Sequence, residues 1–186
     1  MIDFARNTVM LVPFAIFVGC ASAGTASGPP VANGYAVVNG VSGQNVGVAT
    51  LTQDAGGAVR VQMRVHGVTP GIHGVHFHAV GSCVAPAFAS AGGHFNPESR
   101  HHGLQNPAGP HAGDLPNMTV DAAGNANYDV VSSRVSLTPG SNSLFDADGS
   151  ALVIHAAPDD NMSDPAGNAG ARIGCGEIHS GTAPGR

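Results

Sequence analysis

Alternating hydrophobic and polar residues predict β-strands in the first part of the chain. Residues 59–65 alternate without a break, so their four apolar side chains share one face of a strand. Residues 46–52 alternate in the same way, and a first strand runs through Val37 and Val41. Asp54 and the small residues after it form the turn between the second and third strands. Alternation on successive hairpins predicts an antiparallel sandwich or barrel.

The second part of the chain contains shorter apolar runs and two long stretches without periodicity. Strands are predicted at residues 117–120, 126–131, 133–137, 151–155 and 171–178. The irregular stretches are residues 79–115 and 159–170. A loop as long as the first is uncommon in a compact domain unless it is functional. A disulfide at Cys83 and a bound metal are two features that could stabilise it in place of a hydrophobic core.

The segment from Gly71 to His78 carries three histidines and leads into the first long loop. On an extended strand His76 and His78 face the same side, because they are two residues apart. His73 lies at an odd offset from both, so we expect it to face away and to hydrogen bond a loop. Two neutral imidazoles side by side suit copper or zinc. The alternative is a histidine-rich surface strand that binds no metal.

Composition and charge narrow the class of protein. At 186 residues the chain is long enough for one domain with a real core and a leader. It has 27 glycines and no tryptophan or lysine, which fits short strands and tight turns better than helices. A formal net charge of −5 argues against nucleic acid or an anionic membrane as a partner.

The N-terminal segment has the features of a targeting signal. Residues 9–18 form an apolar run that follows Arg6 and precedes small residues, and the run is too short to span a bilayer. A buried first strand or helix is the alternative, but residues 24–30 have the composition of a linker. We therefore expect an exported protein with a leader at 1–23, a flexible linker at 24–33, one domain at 34–179 and a loose tail at 180–186.

Two processing sites compete within this leader. Residues 21–23 resemble an ordinary signal-peptidase site, and residues 17–20 resemble a bacterial lipobox. Phe17 departs from the aliphatic residue that is usual in a lipobox. Lipidation of Cys20 would anchor the protein to a membrane and would account for the odd count of three cysteines. Under the other interpretation, Cys20 is removed with the leader.

Several motifs, taken in order, resemble the copper/zinc superoxide dismutases over residues 35–178. The strand with His76 and His78 looks like the copper-ligand strand of that family. The family's ligands from the following loop match, without insertion or deletion, His94, His102, His111 and Asp114. The resemblance implies an all-β fold, an eight-stranded antiparallel Greek-key β-barrel or flattened sandwich with two long functional loops.

The same resemblance implies two metal sites that share one ligand. Copper would be bound by His76, His78, His94 and His155. Zinc would be bound by His94, His102, His111 and Asp114. This closed zinc set favours a structural metal, and His94 would give one ring nitrogen to each metal. His101, beside His102, is expected to be exposed, and the alternative for the whole loop is a histidine-rich segment with incidental metal affinity.

Further roles follow from the resemblance. Asp159 would accept hydrogen bonds from His76 and His102, whereas the acid after it would be an exposed loop residue. Arg172 would attract and orient a small anion near an open copper position, the alternative being an ordinary surface arginine. The second long loop has no lysine or arginine of its own, which leaves local capture by Arg172 without long-range steering.

The cysteines and the local spacing indicate a branch of the family. Cys83 and Cys175 lie in the stretches that carry the family's paired cysteines, so the resemblance implies a disulfide between them. Cys83 follows His78 closely, which resembles the bacterial periplasmic branch. We therefore expect a periplasmic protein, lipid-anchored if Cys20 is modified. Bacterial members include monomers and homodimers, and the sequence does not choose between them.

The resemblance implies an enzyme that dismutes two superoxide ions to molecular oxygen and hydrogen peroxide. Copper would alternate between Cu(II) and Cu(I), and His94 would supply a proton to the second superoxide. A non-catalytic metal-binding or copper-buffering module on the same fold is the main alternative. An exported structural or adhesive sandwich is a third, and it leaves the ordered ligands unexplained. The presence of His94, His155 and Arg172 together favours the enzyme.

Overall fold

The computed structural model describes Met1 and residues 30–184. Within residues 30–184 there are nine β-strands and one 3₁₀ helix, Ala89–Ala91. The strands are β1 (Ala32–Gly40), β2 (Asn45–Gln53), β3 (Val59–Val65), β4 (Gly71–His73), β5 (Val75–His78), β6 (Met118–Val120), β7 (Ala126–Ser132), β8 (Ala151–His155) and β9 (Arg172–Ser180). No helix in this part of the chain is long and apolar enough to cross a membrane. The predicted leader after Met1, with Cys20, and linker residues 24–29 lie outside the described residues.

The first three strands form consecutive antiparallel hairpins, as the alternating pattern predicts. β2 pairs with β3 along its length, and Ala49 lies opposite Met63. In β3 the four apolar residues are buried and the three residues between them are exposed. Asp54 closes the turn before β3, because its carboxylate accepts a hydrogen bond from the main-chain N–H of Ala58 at 3.0 Å. One face of these hairpins therefore packs on the core and the other faces solvent.

The strands form two antiparallel sheets that are curled into a half-barrel. The larger sheet has the order β5-β8-β9-β1-β2-β3-β7, and the smaller sheet consists of β4 and β6. β4 and β5 are the two parts of the histidine-bearing strand, which is interrupted at Gly74. Counted as one interrupted strand, they bring the total in the described residues to eight. The predicted all-β antiparallel architecture is confirmed.

The interruption at Gly74 lets the second long loop pack against the histidine-bearing strand. The N–H of Gly74 donates to the carbonyl of Ala157, and its own carbonyl accepts from the N–H of His155, both at 2.9 Å. A β-carbon at Gly74 would lie 3.0 Å from the β-carbon of Ala169. A side chain at this position would require Ala169 of the loop to shift by a few tenths of an ångström.

The hydrophobic core lies on one side of the histidine-bearing strand. Its largest fully buried members include Leu51, Met63, Phe77, Leu115 and Leu152. Val75 and Phe77 both belong to this core. Because successive side chains of a strand alternate, His76 and His78 project from the opposite face, where the first long loop covers them.

Two details of the predicted strands are wrong. Residues 133–137 do not form a strand. Ser136 makes only an isolated bridge with Ser143, and the side-chain carbonyl of Gln53 accepts the N–H of Leu137 at 2.7 Å. Val135 and Leu137 are nevertheless buried in the core, which explains the apolar alternation of this segment. Val41 lies in the turn after β1 and is exposed.

The last described residues are packed against the first strand. β9 ends at Ser180, and the N–H of Gly181 donates to the carbonyl of Asn33 at 2.9 Å. Ala183 is buried. Residues 181–184 are therefore held against the domain, and the last two residues of the predicted tail, 185–186, lie outside the described residues.

Candidate metal centre

Two adjacent strands supply three of the predicted histidine ligands. β5 carries His76 and His78, and it pairs antiparallel with β8, which ends at His155. The register of β8 against β9 shifts at His155, so this residue leaves the regular ladder at the strand end. The Nε2 atoms of His78 and His155 lie 3.4 Å apart. All three histidines are buried.

The first long loop packs against β5 and adds further ligands to the histidines of that strand. Phe77 accepts the N–H of Phe95 and donates its own N–H to the carbonyl of Gly113, at 2.8 and 2.9 Å. A β-carbon on Gly113 would lie in severe contact with the carbonyl oxygen of Phe77, so glycine is required for this approach. These bonds hold His94 and Asp114, the neighbours of Phe95 and Gly113, against the histidine strand.

Four imidazoles converge in one cluster, called here the four-imidazole site. Its members are His76, His78, His94 and His155, whose ligand nitrogens lie within 4.8 Å of one another. Nδ1 of His76 and Nε2 of His94 are buried and have no hydrogen-bond partner. Unpaired buried nitrogens are costly, and lone pairs directed at a common point are what a metal ion requires. Four nitrogen donors suit Cu(II), so the residues fit copper.

A second cluster, called here the carboxylate site, contains His94, His102, His111 and Asp114. Oδ1 of Asp114 lies 3.0 Å from Nδ1 of His94, 3.0 Å from Nδ1 of His102 and 3.4 Å from Nδ1 of His111. Oδ2 of Asp114 accepts the main-chain N–H groups of Gly103 and His111, both at 2.9 Å. One carboxylate oxygen thus fixes the loop through main-chain hydrogen bonds, while the other faces three imidazoles. Three imidazoles and one carboxylate are a donor set that fits zinc.

His94 belongs to both sites through its two ring nitrogens. Its Nδ1 lies beside Asp114 and 3.4 Å from Nδ1 of His111, whereas its Nε2 is the unpartnered atom of the four-imidazole site. The arrangement suits one imidazole shared by two cations.

Asp159 connects the two sites from the second long loop. Its carboxylate accepts Nε2–H of His76 at 2.8 Å and Nε2–H of His102 at 3.0 Å. These bonds leave Nδ1 of each ring free for its own site and fix the ring orientation. Asn117 holds Asp159 in turn, because the two residues exchange side-chain to main-chain hydrogen bonds at 2.8 and 2.9 Å.

Electrostatics differ sharply between the sites. Burial lowers the pKa of His78 to about 2, that of His155 to about 3 and that of His94 to about 4, so these rings are neutral at physiological pH. Burial also opposes a proton on His102, but hydrogen bonds to Asp114 and Asp159 outweigh it and raise the pKa of His102 to about 9.

Both carboxylates remain ionised despite their burial. Burial alone would raise the pKa of Asp114, yet its hydrogen bonds with His102, His111 and His94 hold that pKa far below its usual range. The pKa of Asp159 is lowered in the same way by His102 and His76. Asp114 therefore contributes a fixed negative charge to the carboxylate site, and His78, His94 and His155 contribute no charge to the four-imidazole site.

Arg172 begins β9 and lies opposite His155 in the sheet. Its guanidinium donates to the main-chain carbonyls of Phe88 and Gly92, both at 2.6 Å. The carbonyl of Gly92 also accepts Nδ1–H of His78 at 3.0 Å. Arg172 is thus held beside a ligand of the four-imidazole site, and it is not an unattached surface arginine.

The predicted disulfide is confirmed. Cys83 and Cys175 are bonded across a sequence separation of 92 residues. Around the bridge a small apolar cluster is formed by Phe88, Ala91, Ala151, Val153 and Cys175. The bridge ties the first long loop, which provides the carbonyl partners of Arg172, to the strand that carries this arginine.

The remaining predicted residues lie around the sites as expected. His73 is buried and faces away from the ligands, with Nδ1 and Nε2 2.7 and 2.8 Å from the carbonyls of His155 and Thr69. His101 is exposed, with 61% of its side chain accessible. Asp160 is an exposed loop acid, and main-chain N–H groups of the same loop lower its pKa to about 2.

Sequence reasoning missed residues that hold the carboxylate site together. Asp164, in the second long loop, accepts the main-chain N–H of His102 at 2.5 Å and lies 3.8 Å from Nε2 of His111. Arg134 donates to the main-chain carbonyl of Asp114 at 2.5 Å. These contacts join segments far apart in the chain and belong to no local motif, so spacing gave no signal for them.

Comparison with known proteins agrees with this geometry. The profile of the family described as "Copper/zinc superoxide dismutase (SODC)" matches residues 45–178. "Superoxide dismutase [Cu-Zn] 2" of Aquifex aeolicus is 47% identical over 146 residues, which cover 77% of this chain and 85% of that protein. "Superoxide dismutase [Cu-Zn]" of Caulobacter vibrioides is 44% identical over 146 residues, 77% of this chain and 83% of that protein.

Solved structures lead to the same grouping. The crystal structure of a superoxide dismutase-like protein from Bacillus subtilis superimposes with a TM-score of 0.73 at 38% identity, covering 77% of this chain and 96% of that one. The segment that the family profile matches, residues 45–178, contains both clusters, the disulfide cysteines and Arg172. From the sequence match, the fold and the two sites that share His94, the chain belongs to the copper/zinc superoxide dismutase family.

Proposed function

We propose that this protein is a superoxide dismutase that converts two superoxide ions and two protons into molecular oxygen and hydrogen peroxide. One superoxide gives up an electron and becomes oxygen, and the other gains that electron and two protons. The observation that carries the proposal is His94, whose two ring nitrogens face two different ligand clusters. When bound, copper supplies the one-electron couple and zinc supplies fixed positive charge to the shared imidazole.

The chain's own residues divide the remaining tasks. His76, His78 and His155 hold the redox metal with buried ring nitrogens. His94 is suited to hold a proton on Nε2 and to deliver it to the reduced substrate, because this atom has no other hydrogen-bond partner. Asp159 fixes the orientation of His76 and therefore the geometry of the site.

Arg172 is the residue best suited to attract the substrate. Its positive charge lies beside His78 and is fixed by two carbonyl acceptors, so an approaching anion requires no reorganisation of the side chain. No lysine or arginine follows Arg134 before Arg172 in the chain, so the second long loop has no cation to share the task. Capture is therefore local rather than long-range.

Metal analysis combined with stopped-flow decay of superoxide tests this function. The purified protein, remetallated and desalted, should contain about one copper and about one zinc per chain, as the two ligand sets require. It should dismute superoxide, and the zinc-only form should not. A protein that accepts zinc but never copper, or that fills with copper without dismuting superoxide, would be a metal-binding module instead.

We propose further that the protein is exported to the periplasm. The apolar run at 9–18 and the disulfide between Cys83 and Cys175 support this, since disulfides persist in oxidising compartments. Cell fractionation of the producing bacterium, with the intact mass of the mature chain, checks the proposal. Recovery of an unprocessed chain from the cytoplasm would contradict it.

Anchoring through a lipidated Cys20 is the finer form of this proposal. The segment 17–20 supports it, because it resembles a lipobox. Detergent partitioning and intact mass decide between the two processing sites. A mature protein that begins at Gly24 and stays in the aqueous phase would exclude the anchor.

A further inference from the structure

A surface pocket of about 270 Å³ lies on the side of the first long loop that bears Pro110 and Ala112. Ala112 is the residue between His111 and Gly113, so the pocket adjoins the carboxylate site. Its other walls include Arg100 and Arg134. One water occupies about 30 Å³ of the liquid, so the pocket has room for a phosphate-sized ion and several waters. None of its lining residues takes part in the surroundings of Arg172.

The guanidinium of Arg134 has donor capacity that the described part of the protein does not use. One terminal nitrogen donates to the carbonyl of Asp114, while the Nε–H is buried without any acceptor. Among residues 30–184 the arginine ion pairs are those of Arg60 and Arg100, and no carboxylate pairs with Arg134. A desolvated cation with an unsatisfied N–H is costly unless an anion approaches it.

Arg100 is the second arginine that lines the same pocket. Its backbone is fixed at both ends by Asn96, whose side chain exchanges hydrogen bonds with it at 3.0 and 2.8 Å. Its Nε donates to Glu98 at 2.9 Å, which leaves the terminal nitrogens without a partner among the described residues. Two arginines and one glutamate give the pocket an excess of one positive charge.

We propose that this pocket binds a small tetrahedral oxyanion, of the size of inorganic phosphate or sulfate, between Arg134 and Arg100. A guanidinium pairs with two oxygens of such an ion at once, and the neutral side chain of Asn142 at the pocket wall can add a further donor. The site is separate from the substrate position at Arg172. Through its bond to the main chain of Asp114, Arg134 links the bound ion to the loop of the carboxylate site.

Calorimetric titration with inorganic phosphate tests the proposal on the metal-loaded protein at constant ionic strength. An Arg172→Ala background weakens anion binding beside the four-imidazole site, so that binding at the new pocket is measured with less competition from that position. There we expect one saturable site per chain, and Arg134→Gln should weaken it about tenfold or more, as loss of a charge-assisted hydrogen bond does. Arg100→Gln should weaken it severalfold.

Arg60→Gln is the matched control, because Arg60 is an exposed arginine of β3 that pairs with Asp129 and lines a different surface. It removes the same charge and should change phosphate affinity by less than about twofold. An absence of saturable binding in the Arg172→Ala protein would overturn the proposal, and so would equal weakening by Arg60→Gln and Arg134→Gln. If Arg134→Gln loses zinc or fails to fold, Arg100→Gln decides, and an unchanged affinity in that variant overturns the proposal.

Discussion

The two ligand clusters share His94, but their other ligands come from different kinds of secondary structure. The four-imidazole site takes His76, His78 and His155 from two paired strands that are buried on their other face. The carboxylate site takes its other ligands from one irregular loop, which Asp114 folds around itself. Strands hold ligands in place through the core, whereas the loop depends on charge and on its metal.

The contrast extends to protons. Burial keeps His78 and His155 neutral, so the four-imidazole site has its nitrogen lone pairs available before any metal arrives. His102 lies between two carboxylates and keeps a proton that zinc must displace. One site is therefore preorganised, and the other exchanges a proton for a cation.

Removal of one loop ligand should cause the largest loss of zinc affinity, because it takes a donor directly from the carboxylate site. We expect His102→Ala to weaken zinc binding by about a thousandfold or more, since loss of residues that merely orient a ligand already costs about 10- to 100-fold. His101→Ala is the matched control, because its neighbouring side chain is exposed, and it should leave zinc affinity unchanged. Competition with a zinc chelator measures both. Equal losses in the two variants would contradict the ligand assignment.

Acidification should lower the zinc affinity of the carboxylate site more than the copper affinity of the four-imidazole site. The pKa of His102 is raised to about 9, so below that pH its proton must leave before zinc binds at Nδ1. Zinc affinity should fall about tenfold for each pH unit below 9, or about a hundredfold between pH 8 and pH 6. Copper affinity should fall less over the same range, because the pKa values of His78 and His155 are about 2 and 3. Chelator competition at fixed ionic strength measures both dependences on pH, and a steeper fall of affinity for copper than for zinc would contradict the expected difference between the two sites.

Asp159→Asn should weaken both sites by similar amounts, because its carboxylate orients one histidine of each. We expect about 10- to 100-fold lower affinity for zinc and for copper. The exposed neighbour Asp160 provides the control, and Asp160→Asn should alter neither affinity. An effect of Asp159→Asn on zinc alone would mean that it does not couple the sites.

Arg172→Ala should leave both metals bound and reduce dismutation by about 10- to 100-fold. Loss of one preorganised electrostatic group typically costs about 100- to 1,000-fold, and the charge of the copper itself offsets part of this loss. Arg172→Lys should lose less, since the charge remains while the planar fork that reaches Phe88 and Gly92 does not. Stopped-flow rates at matched copper occupancy provide the measurement. If the Arg172→Ala protein dismutes superoxide as fast as the parent, Arg172 does not attract the substrate.

Local periodicity and ordered spacing predicted different parts of this molecule. The alternation in residues 59–65 and the i, i+2 pair His76 and His78 are properties of a single strand, and they were visible directly. The first long loop has no period, so only its resemblance to a known family assigned its ligands. The contact of Gln53 with Leu137 across 84 residues could not be predicted, because nothing local encodes such a contact.

The residues that hold the carboxylate site in place could not be predicted for the same reason. Asp164 reaches His102 from another loop, and Arg134 reaches Asp114 across 20 residues. A side chain that hydrogen bonds the main chain of a distant ligand does not lie at a fixed sequence spacing from that ligand. Such contacts were visible only once the fold had joined the two loops.

Two different metals should occupy the two sites that share His94. Anomalous diffraction from crystals of the remetallated protein, recorded at the copper and zinc absorption edges, tests it most directly. We expect a copper peak bounded by His76, His78, His94 and His155, and a zinc peak bounded by His94, His102, His111 and Asp114. A single peak, exchanged metals, or a peak that does not contact His94 would contradict it.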